Sequence, residues 1–467
     1  MADETPETAA QPLARGMRML GVLFLTLSAA TPASSIFVIV PDVVSQAGTG
    51  ALISMLLAAA IALGVGQVYA ELSSAFPLAG GEYAIVGRVM GPLAGFVVLA
   101  LNLANSLLAT AVLALGVSDY LGAVLPGLSP LPVALAVVIG STLLGVLNIR
   151  TNALVTGAFV AVEIIALVVL TALGLLHPAR GLGDVLAHPV ALGGGALHPA
   201  SIPAIGLAVA VAIFAYDGYG SAVYFGEEMQ GAPRRIGRTI LWALAIIVAA
   251  EVIPLTAVMT GAPDLKAFLG SKAVFSGFVA AAGGPALSKL MGAGVALAII
   301  NAVIAMVLLC ARQLYATGRD GIWPGRLNGA LTALHPRFRS PWGATLAAGT
   351  VAAALCLIDL KLLLIVTGTG VAVIYAILCA ALIVGRRTGV TAGAPHRAPF
   401  GPLIAGLSVI ALLGVLWADW LDPEEGRLGL LAALATGLAG GLYYRLVVRR
   451  KAGFALRAPP DLELDGR

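Results

Sequence analysis

Leu27 to Pro41 reads LSAATPASSIFVIVP, inside an apolar run that begins near Met17. Proline removes a backbone donor, clashes with the preceding turn and biases Thr31 away from helical angles. Ser28, Thr31, Ser34 and Ser35 surround it with hydroxyls. A breaker dressed in polar groups is out of place in an apolar helix unless the interruption itself has a use.

Composition sets the context. The chain has 467 residues, 60% of them hydrophobic and 11% charged, and a mean hydropathy of +0.99. Soluble domains carry about 25% charged residues, and a helix needs about 20 apolar residues to cross a bilayer. Twelve such runs are predicted, near 17–46, 51–75, 89–113, 130–147, 153–176, 201–228, 239–260, 290–311, 342–358, 361–384, 401–418 and 428–446. The acidic start MADETPETAA lacks the basic region of a cleaved signal peptide. Cys310, Cys356 and Cys379 all sit in apolar runs and read as packing residues; their spacing suits no metal site.

Basic residues orient the spans, because cytoplasmic loops carry the excess. With the N-terminus inside, 21 of the 27 Lys and Arg fall in cytoplasmic segments and 6 outside. Both termini are therefore expected in the cytoplasm, with the chain in the inner membrane. The net charge of +4 then reflects topology and no nucleic-acid partner is expected. Arg449, Arg450 and Lys451 read as topogenic residues that can also touch anionic lipid.

A second interruption lies in the sixth run, IFAYDGYGSAVYFGEE, where Tyr216, Asp217, Gly218, Tyr219, Gly220 and Ser221 fall at mid-depth. Bare peptide groups in hydrocarbon cost several kcal/mol each, so broken helices line a wet cavity or are buried in protein. The two breaks are five spans apart. An odd offset inserts them in opposite directions, as expected for inverted repeats, and paired interruptions point to a secondary transporter's site. Kinks that merely aid packing are the alternative.

The geometry of the breaks predicts a ligand. The outer half of span one is expected to begin near Ser34, Ser35 and Ile36, presenting free N–H groups and a positive dipole end suited to a carboxylate. The outer half of span six is expected to end near Phe214, Ala215 and Tyr216, presenting carbonyls suited to an ammonium. Together they describe a site for an amino acid.

Three stretches carry a family resemblance. Tyr69–Phe96 (YAELSSAFPLAGGEYAIVGRVMGPLAGF), the run YDGYGSAVYFGEEMQGAPRRIGRTI and Ala311–Ala344 (ARQLYATGRDGIWPGRLNGALTALHPRFRSPWGA) resemble the amino acid–polyamine–organocation superfamily at the end of span two, at span six and between spans eight and nine. The resemblance covers essentially the whole chain. It implies an all-α integral membrane protein of the LeuT-like fold: twelve transmembrane helices in a 5+5 inverted repeat, discontinuous helices 1 and 6, and two peripheral helices. On this chain that gives a tail at 1–16, repeats at 17–176 and 201–384, peripheral helices at 401–446 and a tail at 447–467. It also implies alternating access, by proton coupling, exchange or uniport. Ala33, Ser34 and Ser35 match the family's Gly-Ser-Gly-like carboxylate cradle, with both glycines replaced. Phe214 matches the aromatic residue that closes over substrate, and Asn102 and Thr110 fall where span three lines the pocket. Glu163 stands where many relatives carry a lysine.

Charged groups at membrane depth are functional candidates. Glu163 is a candidate proton acceptor, or else a hydrogen-bonded packing residue. Asp217 either caps the inner half of span six or meets the substrate ammonium. Glu251 precedes Pro254 by three residues and either satisfies groups freed by that proline or joins the coupling. Glu227 and Glu228 read as solvated charges at a helix end, or as an inner gate with Arg234, Arg235 and Arg238. The five histidines (His177, His188, His198, His335, His396) lie in loops, so no metal site is expected. The lone Gly-x-Gly of VTGTGV (Val366–Val371) follows no strand and reads as helix packing. With no zinc-protease or phosphate-loop motif, the chain reads as no enzyme and needs no cofactor. The expected partners are the lipid bilayer, a small amino acid or amine, and protons; nothing in the sequence sets an oligomeric state. An amine or polyamine carrier, a channel and a substrate sensor are the rival functions.

Overall fold

The computed structural model describes residues 11–459 and 462, apart from 123, 124, 126, 177, 272, 424, 425 and 452; at 361, 362 and 364–368 only the backbone is described. His177 and the first ten residues of the 1–16 tail lie outside the described residues, as does most of the chain beyond 459.

The chain is helical almost throughout. It opens with α1 (Met19–Ala30), a short turn α2 (Pro32–Ser34), a π-turn at Ser35–Ile39 and α3 (Val40–Ala47). Then come α4 (Ala51–Ala75), α5 (Gly81–Met90), α6 (Pro92–Leu121), α7 (Pro130–Gly145) and α8 (Ile149–Leu176). A short helix α9 (Leu182–Ala187) leads into a hairpin absent from the all-α expectation: β1 (Val190–Gly193) pairs antiparallel with β2 (Ala196–Pro199), with Leu192 opposite Leu197. The rest comprises α10 (Ile202–Ala215), a 3₁₀ segment (Tyr219–Glu228), α11 (Ala232–Gly261), α12 (Leu265–Leu269), α13 (Val274–Arg319), α14 (Gly325–Thr332), α15 (Trp342–Leu355), α16 (Leu360–Thr388), α17 (Gly401–Leu421) and α18 (Gly426–Leu446).

Among the described residues, nine stretches are long and apolar enough to cross a membrane. The first, Met19–Ala75, contains both α1 and α4, while α7 and α15 are shorter apolar helices. This is a multi-pass membrane protein, and lipid explains its helices: with no water to bond them, backbone groups must be satisfied within each segment. Prolines mark where helices start. Pro92, Pro130, Pro233 and Pro402 each sit in a first turn, where the missing N–H costs nothing. The expected eighth span, 290–311, is part of the longer α13, which kinks at Gly284 before Pro285.

Helix α1 packs against α8, α11 and α13, and α6 packs against α13, α16 and α18. Where α8 meets α11, a Cβ on Gly261 would come within 2.3 Å of the Gly174 carbonyl oxygen, so both positions need glycine's bare backbone. The bundle has two ends. Residues 11–18, 448–451 and 453–459 lie at one, termed the tail end, where Met17 bridges to Met229 and Ala455 bonds Asp320; the β-hairpin, bonded to Thr49, marks the other.

Candidate functional site

The first break falls at Thr31, three residues before the expected Ser34–Ile36. Helix α1 stops at Ala30, and Thr31 adopts left-handed angles (φ 42, ψ 68). Pro32, fixed for the first position of a helix, restarts the chain there. The Ser35 N–H therefore already bonds the Thr31 carbonyl, at 3.0 Å. The first-turn amides of this outer half belong to Ala33 and Ser34. The Thr31 hydroxyl lies 3.3 Å from both a Glu163 carboxylate oxygen and the Ala298 carbonyl. A β-branched residue rarely takes a positive φ, and these two contacts hold it.

The second break falls where expected. Helix α10 ends at Ala215, and Gly218 takes φ 107. A Cβ at Gly218 would lie 2.6 Å from the Cα of Ala30. The two breaks touch, and only glycine permits it. Ser35 ties them again by donating to the Ala215 carbonyl at 3.1 Å.

Between the breaks lies a cavity of about 250 Å³. Of the anticipated residues, Thr31, Ser34, Asn102, Phe214, Ala215, Asp217 and Gly218 line it. The others do not. Ala33 and Ile36 are buried in the core, and Thr110 bonds the Ser106 carbonyl at 2.6 Å. Ser35 spends its hydroxyl on Ala215, and Tyr216 turns away to donate to the Met55 carbonyl at 3.1 Å. Tyr219 packs edge-on to Tyr69 with centroids 5.8 Å apart, and its hydroxyl has no partner among the described residues.

Asp217 caps no helix. Gly218 occupies the cap position of a 3₁₀ segment, and the Asp217 carboxylate instead accepts from the Tyr375 hydroxyl. Glu163 lies outside the cavity wall, accepting from Asn301 Nδ2 at 3.0 Å. Glu251 is fully buried and neither carboxylate oxygen has a hydrogen-bond partner among the described residues. It therefore does not satisfy groups freed by Pro254. Among the described residues, no three His, Cys, Asp or Glu assemble into a group that could hold a metal ion.

The cavity's tail-end wall holds a residue that the sequence reading passed over. Glu82, in the first turn of α5, lines the cavity. Its carboxylate accepts from the Tyr69 hydroxyl at 2.9 Å, from Asn102 Nδ2 at 2.7 Å and from the Tyr224 hydroxyl. Asn105, Ser106, Ser221 and Met306 also line the cavity. A signal was present: the single acid in the otherwise uncharged stretch LAGGEYAIVG is a costly residue that asks for a buried role.

Beyond Glu82 the tail end is shut by buried ion pairs. Arg312 grips Glu228 through two bonds of 2.8 and 3.1 Å, and Arg319 places one nitrogen 2.8 and 2.9 Å from the two oxygens of Glu227. Both glutamates are 2% exposed. The solvated-charge expectation is overturned, and the pairing arginines come from α13; Arg234, Arg235 and Arg238, expected in a loop, lie in the first two turns of α11. Glu227 also accepts from the Ala79 N–H at 2.9 Å, and Met17 and Met229 form a β-bridge across the same end. Arg386 holds Glu71 at 2.5 and 2.8 Å. Nearby, burial lowers the pKa of His396 and so favours its neutral form.

Comparison with known proteins accords with this architecture. The chain is 25% identical over 447 residues to a branched-chain amino acid permease of Bacillus subtilis (strain 168), covering 89% of this chain and 91% of that protein. It is 28% identical over 417 residues to a branched-chain amino acid permease of Lactococcus lactis subsp. cremoris (strain MG1363), covering 84% and 88%. A methylthioribose transporter of Bacillus subtilis (strain 168) is 25% identical over 414 residues, covering 83% and 86%. The amino acid permease family model matches residues 18–433. An apolar helical bundle with two broken helices around one cavity, matched along nearly its whole length, makes this chain a transporter of the amino acid permease family.

Proposed function

We propose that the protein is a secondary active permease for a small amino acid, working by alternating access about the breaks at Thr31 and Gly218. One observation carries the reading: a single cavity meets the Ser34 side of one break and the Ala215–Asp217 side of the other. Amides near a helix start favour a carboxylate, and carbonyls near a helix end favour an ammonium. The relatives named for branched-chain amino acids support an amino acid substrate.

The same proposal includes twelve crossings, counting Met19–Ala75 as two and α7 and α15 as one each. It includes the 5+5 inverted repeat with two peripheral helices, the residue ranges given above for each, and both termini in the cytoplasm of an inner-membrane protein. Glu163 is the coupling group, because a buried carboxyl bonded to Thr31 reads the first break directly. Glu251, fully buried but outside the cavity wall, is the second coupling candidate.

Uptake of an amino acid panel into proteoliposomes, with and without an inward proton gradient, tests the proposal. Saturable, gradient-stimulated uptake is expected in the wild type, with Glu163→Gln losing the gradient's stimulation. Conductance without saturation would mark a channel, and an unaltered pH profile in Glu163→Gln would remove that residue from coupling. An amine carrier is the second reading, favoured by the two carboxylates, Glu82 and Asp217, in a wall that holds no Lys, Arg or His.

A further inference from the structure

The tail-end half of the cavity is rich in acceptors and contains no cation. Glu82 is 4% exposed, and no Lys, Arg or His stands within ion-pair distance of it among the described residues. A buried carboxylate left uncompensated is costly. Its three donors, Tyr69, Asn102 and Tyr224, are all neutral. Two further acceptors wait beside it. Asn105 Oδ1 and the Ser221 hydroxyl are buried, line the same cavity and have no partner among the described residues.

Helical spacing brings these groups together. Asn105 follows Asn102 by three residues on α6, so both lie on one face, with Asn105 about 4.5 Å further along the axis. Ser221 precedes Tyr224 by three residues in the 3₁₀ segment, where such residues eclipse, about 6 Å apart. Helix α6 rises from the tail end, and the 3₁₀ segment descends towards it. Asn105 and Ser221 therefore both stand one turn above the Asn102–Glu82–Tyr224 clasp, each on the cavity wall.

We propose that Glu82, Asn105 and Ser221 form a subsite for an ammonium on the substrate's side chain, so that the preferred substrate is an amino acid with a cationic side chain. An ammonium has three donors and no acceptor, matching one carboxylate, one amide oxygen and one hydroxyl. The α-carboxylate and α-ammonium stay at the two breaks. The subsite thus rests on the proposed amino acid reading, and replaces its small side chain by a longer, cationic one.

Lysine and norleucine, which share a carbon chain but differ in the terminal ammonium, make the test. In purified wild type, lysine is expected to raise the thermal midpoint more than norleucine does. In proteoliposomes lysine uptake is expected to exceed norleucine uptake by at least about tenfold, since a site built to bond a polar group rejects the analogue lacking it. Glu82→Gln is expected to reduce that ratio by about tenfold or more. Norleucine uptake that lysine neither inhibits nor exceeds, with no lysine-induced thermal shift, overturns the subsite and leaves the amino acid reading standing. Equal loss of both substrates in a folded Glu82→Gln protein also overturns it. Uptake of no amino acid at all by the wild type overturns both. The wild-type comparisons decide the matter even where the variant fails to fold.

Discussion

Gly218 shows how a single backbone position sets the site. Its φ of 107 and the 2.6 Å that a Cβ would leave to Ala30 Cα act together. Gly218→Ala should cost about 1–3 kcal/mol in strain alone, with more from pushing the breaks apart. A thermal midpoint lowered by several degrees, together with lost uptake, is the expected result; an unchanged midpoint would show that the contact is slack. Thr31 is the counterpart on the other side. Its φ of 42 suits a β-branched residue poorly, yet its hydroxyl spans Glu163 and Ala298. The carboxyl proposed for coupling thus touches the one residue whose conformation defines the first break.

Buried charge bridges the 3₁₀ segment that follows the second break to α13. Glu228 ends the 3₁₀ segment and Arg312 lies in α13, both essentially buried. Removing one partner of such a pair strands the other, at a cost of about 3–5 kcal/mol. Arg312→Leu or Glu228→Leu alone should therefore destabilise strongly, and the double variant should cost less than their sum, as read from chemical or thermal unfolding. Additive losses would show that the pair does not act as a unit. The sequence made the breaks legible because Pro32 and Gly218 act locally, through their own backbones. Glu228 and Arg312 are 84 residues apart, and no local rule joins them. Glu82 was hidden for a related reason. Its stretch reads as a loop between spans, and only the packing of α5 against α6 carries its carboxylate to the cavity. Likewise, Thr110 looks pocket-lining by position on span three, but a helix hydroxyl turned back onto its own carbonyl is spent.

Across the whole molecule, the C-terminal strap fastens the tail end. Asp320 accepts from the Arg457 N–H at 3.0 Å and from the Tyr83 hydroxyl at 3.1 Å, while Lys451 donates to the Ile322 carbonyl at 2.5 Å and Arg88 to the Leu456 carbonyl at 2.9 Å. Burial pushes the Asp320 carboxyl from 3.8 up to about 6, against the opposing pull of Arg319. A carboxyl raised on folding holds more protons in the native state, so its contribution to stability is lost as pH rises from about 4 through 6. The thermal midpoint of the wild type minus that of Asp320→Asn should therefore fall between pH 4 and pH 7. A difference that is flat, or that grows with pH, would show that the group is charged throughout. The strap also joins α5 to α13, so the helix bearing Glu82 and the helix bearing Arg312 share one clamp.

The wide turn at Ser35–Ile39 has a kinematic consequence. A π-turn stores one residue more than an α-turn in the same stretch. Winding it back would slide α3 by about 1.5 Å and swivel it by roughly 100°, against the clash of the Pro41 ring with the Phe37 carbonyl. Val38 and Ile39, now part of the cavity's roof, would rotate out of it. The outer half of this broken helix thus meets the cavity through its widest turn, where Val38 and Ile39 lie.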